Sequence, residues 1–568
     1  MSPQELLEKG VAYLGRFLQP SGELYDPVFG EPTQYGTAYF AYVNAAMGRL
    51  CGGPAAARYF ERAERGLGAT LRHLLDPCDA PATSSYLGPL AGPQARAHRD
   101  FMWLPALRCL QLLRAAGRPG AGALAERVRK VAVPEVFAAR PPHNWAAVWL
   151  LGEWLRAREG LSPYPPTAAD GWLAPFFEGA DARVDLGRGC YYEPGFPNSY
   201  DLFTRYHMLE LLAEGYDGRY REHLQRLLDT GLRRSLSVQL SNGSLASAHR
   251  STGQLWTLTA QCAYFHRAAQ LCTDERLALA AQEAAMRSLA AATACQRPRG
   301  EGLSPVENVL PANFRVGYEP YTADAHYVSL ALSFLAAAVL AGFSRSCAPS
   351  ALGAEQSSLV EAEPLWRSLL HGHGWSLHVN LAPQAGYDAF GIADVSLGLG
   401  RWWRFGGQVR HVASGSALTL GLAVHDAVSG LRPVAGARRI KARSARYDPA
   451  TRWLEASAQA DGLPYRLRAL IDGETLRLVE SVGDRPCSLV VPYVRDRGDG
   501  ISPVVGPAPS GVRLSVPGEQ VELVTDRHVE RAVHLPHGYE SRHGLVGVVR
   551  LDLAGAGPVS YQLHRRAP

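Results

Sequence analysis

Residues 190–212 of this chain read CYYEPGFPNSYDLFTRYHMLELL. The first part is a loop rich in proline, glycine and aromatic residues, and the pattern predicts that a helix begins at Asn198 or Ser199. Apolar residues then recur at the spacing of one helix face, which the fold must bury: Leu202, Phe203, Tyr206, Leu209 and Leu212. Titratable groups crowd the loop and the first turns, where unpaired backbone N–H groups also point outward: Glu193, Tyr200, Asp201, Arg205 and His207. This concentration indicates a functional site at the start of the helix.

Helical patterns extend on both sides of this stretch, from residue 3 to about residue 343. Apolar spacing predicts roughly ten to twelve helices of about 11–20 residues, joined by loops short enough to make neighbours antiparallel. Loops rich in His, Arg, Tyr, Asn and Trp alternate with bland ones; the rich loops precede Phe101, Asn144, Tyr200, Trp256 and Tyr327. This alternation is typical of a ring of helical hairpins with one functional rim, an incomplete α/α toroid. A repeat solenoid is the alternative, but no fixed-period self-similarity supports it.

The pattern changes from helices to strands in the last third of the chain. A segment rich in Ser, Ala, Pro and Gly predicts a linker over 346–372, and short β-type runs separated by turn residues follow it. Asp472-Gly473 between two alternating runs predicts a hairpin. Many strands without helices predict an antiparallel β-sandwich. The fold class is therefore multidomain, α then β, with an α/α toroid over 1–345 and a β-sandwich over 373–568.

Composition excludes several classes of function. The chain has 568 residues, 47% of them hydrophobic and 20% charged, as in ordinary globular proteins. Its net charge of +5 is spread too thinly for a nucleic-acid-binding protein. No window is apolar for long enough to span a membrane, and the first residues lack the pattern of a signal peptide. We therefore expect a cytoplasmic protein, or a secreted or periplasmic one if a leader has been removed.

The cysteine pattern also limits the chemistry. The nine cysteines form no CxxC pair and have no spacing typical of metal ligands, so they predict no metal site. Most of them lie in apolar helical contexts, which predicts free thiols in the core. An odd number favours a reducing compartment over a disulfide framework.

Three further predicted helices begin with polar motifs. His143-Asn144-Trp145 offers an imidazole and an amide at a helix N-terminus, a suitable cradle for a carboxylate, although Asn is also common there for structural reasons. His249 and Arg250 precede another helix and are either a base with an anion-binding cation or a solvated loop. Tyr321 lies in a third cluster, with Glu319, Asp324 and His326.

Two tyrosines and a histidine compete for the chemistry of the central helix. Tyr200 stands at the start of the helix beside the polar loop and is favoured over Tyr206, which lies on the apolar stripe. His207 follows Tyr200 by about two turns and so shares its face, although a lone His is more often a core residue. Nearby aromatic rings such as Trp145 and Trp256 would suit stacking against sugars. The β-domain has two possible roles: it only braces the toroid, or one of its residues His373, His378 and Tyr387 reaches the cleft.

At these residues the chain resembles the polysaccharide lyases built as an α/α toroid followed by an antiparallel β-sandwich. These are the heparinase II/III-like, alginate lyase-like and hyaluronate lyase-like enzymes. Asn144 looks like the asparagine that neutralises the substrate carboxylate in that family. Residues 191–207 are similar to the segment that carries the catalytic tyrosine, with Tyr200 as the better match. The chain departs from the family before this segment, where Gly187-Arg188-Gly189 replaces the usual Asp-Gly.

The resemblance implies β-elimination at a uronic acid of an acidic polysaccharide or oligosaccharide, without a cofactor. Asn144, with His143 or Arg250, would neutralise the carboxylate through hydrogen bonds that strengthen as charge develops. The base would be Tyr200 or one of the histidines, His207 or His249, and Tyr200 would protonate the leaving O4. The substrate-binding residues are expected to be Arg205, Arg250, Tyr206, Glu193, Trp145, Trp256 and Tyr321.

Two other functions fit the same sequence. A glycoside hydrolase on an α/α barrel would need two carboxylates about 5–10 Å apart, and Glu193, Asp201, Glu319 and Asp324 are available. A non-catalytic glycan-binding protein would need only the aromatic cleft. Lysis creates a conjugated double bond that absorbs ultraviolet light, hydrolysis creates none, and a binding protein releases no product.

Overall fold

The computed structural model describes residues 1–76, 99–319, 321–344, 356–384, 387–399, 402–406, 419–426 and 430–566. Its helical part contains thirteen described α-helices. Their bounds are α1 Pro3–Leu14, α2 Gly36–Leu50, α3 Gly53–Leu75, α4 Asp100–Ala115, α5 Ala121–Arg129, α6 Val133–Val136, α7 Asn144–Arg158, α8 Ala168–Phe177, α9 Asn198–Ala213, α10 Arg221–Val238, α11 Leu255–Leu271, α12 Glu275–Thr293 and α13 Asp324–Leu340.

Six of these helices form an inner ring in the order α2, α4, α7, α9, α11 and α13, and the ring closes because α13 packs against α2. Outer helices pack on the ring, among them α3 on α2, α10 on α9 and α12 on α11. The two sets differ in sequence for a physical reason. An inner helix touches neighbours on nearly all sides, so every residue of α13 from Asp324 to Ala338 is buried, whereas α3 buries one face. The predicted helical toroid is confirmed.

The strands form antiparallel sheets. β1 Val184–Asp185 and β2 Cys190–Tyr191 make a small hairpin before α9. The remaining strands are β3 Ser357–Glu361, β4 Arg367–Gly372, β5 Trp375–Asn380, β6 Gly391–Leu397, β7 Gly421–Asp426, β8 Gly430–Pro433, β9 Ile440–Tyr447, β10 Leu454–Ala460, β11 Leu463–Asp472, β12 Thr475–Val482, β13 Pro486–Asp496, β14 Val504–Ala508, β15 Gly511–Val516, β16 Glu519–Thr525, β17 Val529–Ser541, β18 Gly544–Ala556 and β19 Val559–Arg566.

These strands make a four-stranded sheet in the order β3-β4-β5-β6, an eight-stranded sheet β14-β15-β16-β19-β12-β11-β10-β9 and a five-stranded sheet β17-β18-β13-β7-β8. The three sheets share one core. The hairpin predicted at Asp472-Gly473 joins β11 to β12, with Asp472 paired to Thr475. The predicted antiparallel sandwich is confirmed.

The range 346–372, predicted to be a linker, contains strands β3 and β4, while its residues 346–355 lie outside the described part of the chain. β4 lacks an alternating pattern because both of its faces are buried: Leu369 packs in the helical core and Leu370 in the β core. The four-stranded sheet therefore lies between the two cores. It carries the β-domain onto α9 and α10, where His371 Nε2 lies 2.7 Å from the carbonyl oxygen of Ser237.

Two further observations concern the cysteines and the apolarity of the helices. The cysteines among the described residues are all free thiols, most of them buried; Cys78 and Cys347 lie outside. Within the same residues, no helix combines the length and the apolarity that crossing a bilayer requires.

A buried charge cluster fixes α9 against its neighbours. Arg205 donates to both carboxylate oxygens of Asp201 at 2.8 Å, and Arg234 donates to the same group at 2.7 Å. Arg234 also donates to Glu361 of β3 at 2.8 Å, so the cluster joins the two domains. Burial opposes the charge of Asp201, but the two guanidinium groups prevail and its pKa lies below the ordinary value.

Replacing Asp201 with alanine should destabilise the fold by about 3–5 kcal/mol, because two buried guanidinium groups lose their partner. Urea unfolding followed by helical circular dichroism would measure the loss. The lowered pKa of Asp201 means that its stabilisation is present above about pH 4 and is lost as the pH falls through the folded-state value, so the deficit should shrink in acid. Glu178→Ala, which breaks the exposed pair with Arg219, is the control; an equal loss would contradict the prediction.

Candidate active site

The N-terminal ends of the six inner helices meet at one end of the ring, which we call the mouth. Aromatic side chains in or beside the first two turns of these helices touch one another there, and the positive ends of the helix dipoles therefore point to one place. The ring-centre distances are Tyr35–Phe101 4.8 Å, Phe101–Trp145 5.2 Å, Phe101–Phe203 5.8 Å, Phe203–Trp256 5.8 Å, Trp256–Tyr327 6.5 Å and Tyr35–His326 5.1 Å.

His143 and Asn144 present hydrogen-bond donors at the mouth. The N–H of Trp145 donates to His143 Nδ1 at 3.2 Å and to Asn144 Oδ1 at 2.9 Å. Nδ1 is therefore unprotonated, and the neutral imidazole carries its proton on Nε2. Burial lowers the pKa of His143, against the opposing effect of Glu193, and keeps the ring neutral. Within the described residues, Asn144 Nδ2 donates no hydrogen bond, although the residue is buried.

Tyr200 stands beside them on the next inner helix. Its hydroxyl lies 3.2 Å from the hydroxyl of Ser251, and the guanidinium of Arg250 covers its ring at 4.9 Å. Ser251 also contacts the hydroxyl of Tyr321 at 3.0 Å and Glu319 Oε2 at 3.2 Å. Burial raises the pKa of Tyr200, while Arg250 and Ser251 work against that rise.

Glu193 connects these groups along the edge of the mouth, which we call the rim. Its carboxylate pairs with Arg250 at 3.5 Å and with Arg183 at 3.7 Å. The hydroxyl of Tyr191 contacts Glu193 Oε2 at 2.9 Å and the carbonyl oxygen of Pro142 at 2.8 Å. The network thus joins the start of α7, the loop before α9 and the loop before α11. Asn144 and Tyr200, which begin neighbouring helices, lie on the same rim.

His249 is held as a neutral donor. The N–H of Arg250 donates to its Nδ1 at 2.7 Å, so the proton of the neutral ring is on Nε2. Burial, reinforced by Arg250, lowers the pKa of His249 to about 4. The ring stacks on Tyr387 of the β-domain at 4.9 Å, and the backbone N–H of His249 donates to Asp388 at 2.7 Å. A general base needs an available lone pair. The lone pair on Nδ1 of His249 already accepts the hydrogen bond from Arg250, so this imidazole is poorly placed to act as the base.

The β-domain therefore reaches the rim through Tyr387. Gly195 shows how closely the ring of His249 is packed, because a Cβ on this glycine would lie 2.3 Å from the imidazole. The two β-domain histidines considered for the cleft, His378 and His373, are placed differently. His378 is fully buried in the β-domain, where burial lowers its pKa to about 3, and His373 lies at the β4–β5 turn.

Three residues predicted from sequence lie away from the mouth. His207 is buried against Phe203 and Phe334, its Nδ1 is 2.7 Å from the carbonyl oxygen of Phe203, and burial lowers its pKa to about 4. A seven-residue step from Tyr200 moves it about 10 Å down the helix axis. Tyr206 is also buried in the helical core, and Arg205 serves the cluster with Asp201. All three side chains are therefore buried away from the mouth.

Comparison with known proteins places this arrangement in a fold. No protein-family model and no curated protein sequence matches the chain. Among solved structures, the chondroitin AC lyase of Streptomyces coelicolor A3 in complex with chondroitin sulphate covers 100% of this chain and 80% of its own, with a TM-score of 0.51 and 11% identity. The fold is that of a chondroitin AC lyase.

A second structure of the same lyase, a mutant with tyrosine replaced by alanine, matches over the same shares of both chains with a TM-score of 0.50 and 12% identity. Heparinase III covers 100% of this chain and 91% of its own, with a TM-score of 0.36 and 11% identity. The two chondroitin AC lyase structures confirm, at the level of the fold, the predicted likeness to toroid-plus-sandwich polysaccharide lyases.

Within this chondroitin AC lyase fold, the four carboxylates considered for glycosidic hydrolysis are all paired with arginine. Asp201 pairs with Arg205 at 2.8 Å and Glu193 with Arg250 at 3.5 Å. The other two pairs are Asp324 with Arg297 and Glu319 with Arg542.

Sequence reasoning missed two residues of the rim. Ser251 lies in the turn before α11, which begins at Leu255, and it bridges two tyrosines and a carboxylate. Arg542 gave no signal, since it lies in a β-hairpin 223 residues after its partner Glu319. A serine between His-Arg and Thr-Gly looks like an ordinary turn, so no local pattern identifies it.

Proposed function

We propose that this protein is a polysaccharide lyase that cleaves a uronic-acid-containing glycan by β-elimination. The observation that carries the proposal is the meeting, on one rim, of neutral donors from His143 and Asn144 with the phenol of Tyr200 under the guanidinium of Arg250. The chondroitin AC lyase fold is consistent with it. The proposed substrate class is therefore an acidic polysaccharide.

In the first step the donors neutralise the uronate carboxylate. Nδ2 of Asn144 and Nε2 of His143 donate to its oxygens at the positive end of α7. These bonds strengthen as the carboxylate takes up charge from C5, so they stabilise the transition state more than the bound substrate. The C5 proton becomes acidic enough for a protein base.

In the second step Tyr200 acts as base and then as acid. Its phenolate removes the C5 proton, the C4–C5 double bond forms, and the C4–O4 bond breaks. The phenol then gives the proton to O4, which regenerates the phenolate. Arg250, whose guanidinium covers the ring, stabilises the phenolate. His249 is a hydrogen-bond donor in this scheme, because its Nδ1 lone pair already accepts the N–H of Arg250.

The pairing of the acidic groups argues against hydrolysis. A glycoside hydrolase uses one carboxyl group as acid and a second as base or nucleophile. Glu193, Asp201, Glu319 and Asp324 are each engaged by an arginine. A lyase needs no pair of free carboxyl groups.

Incubating the protein with chondroitin sulphate, hyaluronan, heparan sulphate and alginate should raise ultraviolet absorbance for at least one of them. The absorbance should grow in proportion to new reducing ends, because each cleavage creates one unsaturated uronate. Dextran, which has no carboxylate, is the control and should remain intact. New reducing ends without absorbance, or no product from any uronate polymer, would contradict the proposal.

A further inference from the structure

The turn between β17 and β18 inserts into the helical domain. A Cβ on Gly317 would lie 2.5 Å from the carbonyl oxygen of Ser541, and a Cβ on Gly253 would lie 3.0 Å from Arg542 Cδ. Both glycines also have a positive φ, +77° and +69°. Glycine is therefore favoured at these positions both because a Cβ would clash and because of the backbone conformation. Asn308 Nδ2 donates to the carbonyl oxygen of Arg542 at 3.2 Å. The turn thus packs closely against the helical domain at positions where a side chain would not fit.

The side chain of Arg542 reaches from the turn to the rim. Its Nη2 donates to Glu319 Oε1 and its Nη1 donates to the hydroxyl of Thr252 at 3.1 Å. Arg542 and Glu319 are both fully buried. A buried carboxylate needs such a partner, since removing one member of a buried pair leaves an uncompensated charge.

Glu319 in turn fixes Ser251. The backbone N–H of Ser251 donates to Glu319 Oε1 at 2.7 Å, and its hydroxyl donates to Oε2 at 3.2 Å. Ser251 has φ +65°, a conformation that a serine keeps only when its surroundings impose it. Its hydroxyl oxygen also lies 3.2 Å from the hydroxyl of Tyr200 and 3.0 Å from the hydroxyl of Tyr321, so the position that Glu319 fixes for Ser251 also sets these two contacts.

We propose that Arg542 is a positioning residue of the rim, which neutralises Glu319 and through it fixes the Ser251 hydroxyl that holds Tyr200. This inference rests on the proposed lyase function, in which Tyr200 moves the proton. The site is therefore incomplete without the β-domain.

Removing Arg542 would change the electrostatics around Tyr200 in a defined direction. The groups that face Tyr200 are Arg250, Ser251, Glu319, Tyr321 and Tyr327. Glu319 already acts to raise the pKa of Tyr200, and without its arginine this carboxylate would disfavour the phenolate more strongly. The limb of the kcat–pH profile that rises with phenolate formation should move to higher pH.

The direct test places 3-fluorotyrosine at position 200 of the full chain and follows its titration by ¹⁹F NMR. Arg542→Ala should raise the pKa of this group by about one unit, and Arg542→Lys, which keeps the charge, should restore most of the difference. Arg497→Ala is the matched control, because Arg497 is another buried arginine that joins the domains, through the carbonyl oxygen of Glu307 at 2.5 Å. An unchanged pKa in Arg542→Ala, or an equal shift in Arg497→Ala, would overturn the inference.

Activity provides the second readout. Arg542→Ala should lower kcat by about 100-fold with little change in KM, since it misplaces the group that moves the proton, and Arg542→Lys should recover most of kcat. A loss confined to KM, or no recovery with lysine, would overturn the positioning role. The titration needs no substrate. A wild-type protein without lyase activity would therefore refute the proposed function while the NMR arm still decides the inference.

Discussion

Replacing Tyr200 with phenylalanine is expected to lower kcat by about 10⁴-fold while KM changes little. The substitution removes only the hydroxyl, which is proposed both to take the C5 proton and to return it to O4. The ring keeps its contacts with Arg250 at 4.9 Å and Trp256 at 6.3 Å, so binding and packing should survive. Initial rates of ultraviolet absorbance on the best polymer of the panel would measure the effect.

Tyr206→Phe is the matched control for this experiment. Tyr206 lies on the same helix but is buried in the helical core, so the loss of its hydroxyl should leave kcat nearly unchanged. Circular dichroism would establish that both variants fold. Full activity in Tyr200→Phe would remove Tyr200 from the mechanism, and equal losses in the two variants would indicate a general effect on packing.

Asn144→Ala is expected to lower kcat by about 10²–10³-fold, the usual effect of deleting one donor that stabilises developing negative charge. The deficit should depend on the substrate. A polymer whose uronates are methyl-esterified has no carboxylate charge to neutralise, so wild type and Asn144→Ala should differ much less on it. Parallel rate measurements on free and esterified polymer would detect this.

The control for this second variant is Asn44→Ala. Asn44 is also a fully buried asparagine of an inner helix, but its Nδ2 donates to the carbonyl oxygen of Phe40 at 2.8 Å. Its replacement should reduce stability without changing the ratio of rates on free and esterified polymer. A normal rate in Asn144→Ala, or the same deficit on both polymers, would contradict the carboxylate cradle.

The order of helices and strands could be predicted from sequence because each element is signalled by a few neighbouring residues. The start of α9 at Asn198 and the hairpin at Asp472-Gly473 follow from loop composition, turn chemistry and apolar spacing within a few residues. The strands β3 and β4 could not be predicted in the same way. β4 is buried on both faces, so its sequence lacks the alternation that reveals a half-exposed strand.

The rim was only partly predictable. That Asn144, Tyr200 and Arg250 lie close together could be expected from sequence, because each stands at or just before a helix start and the starts of the inner helices meet at the mouth; their roles stay predictions. His207 was misplaced because equal helical phase does not mean equal depth. The contribution of Arg542 depends on a tertiary contact across 223 residues, which no window of sequence contains.

The turn at 541–544 also bears on how the molecule matures. The helical ring can form from contacts within the first part of the chain, but the Glu319–Arg542 pair closes a loop of 223 residues. Contacts of such long range form late, and large proteins generally fold domain by domain. A newly made molecule would thus pass through a stage in which both halves have folded but the Glu319–Arg542 pair has not formed. Under the proposed function, such a molecule would have low activity until this turn docks.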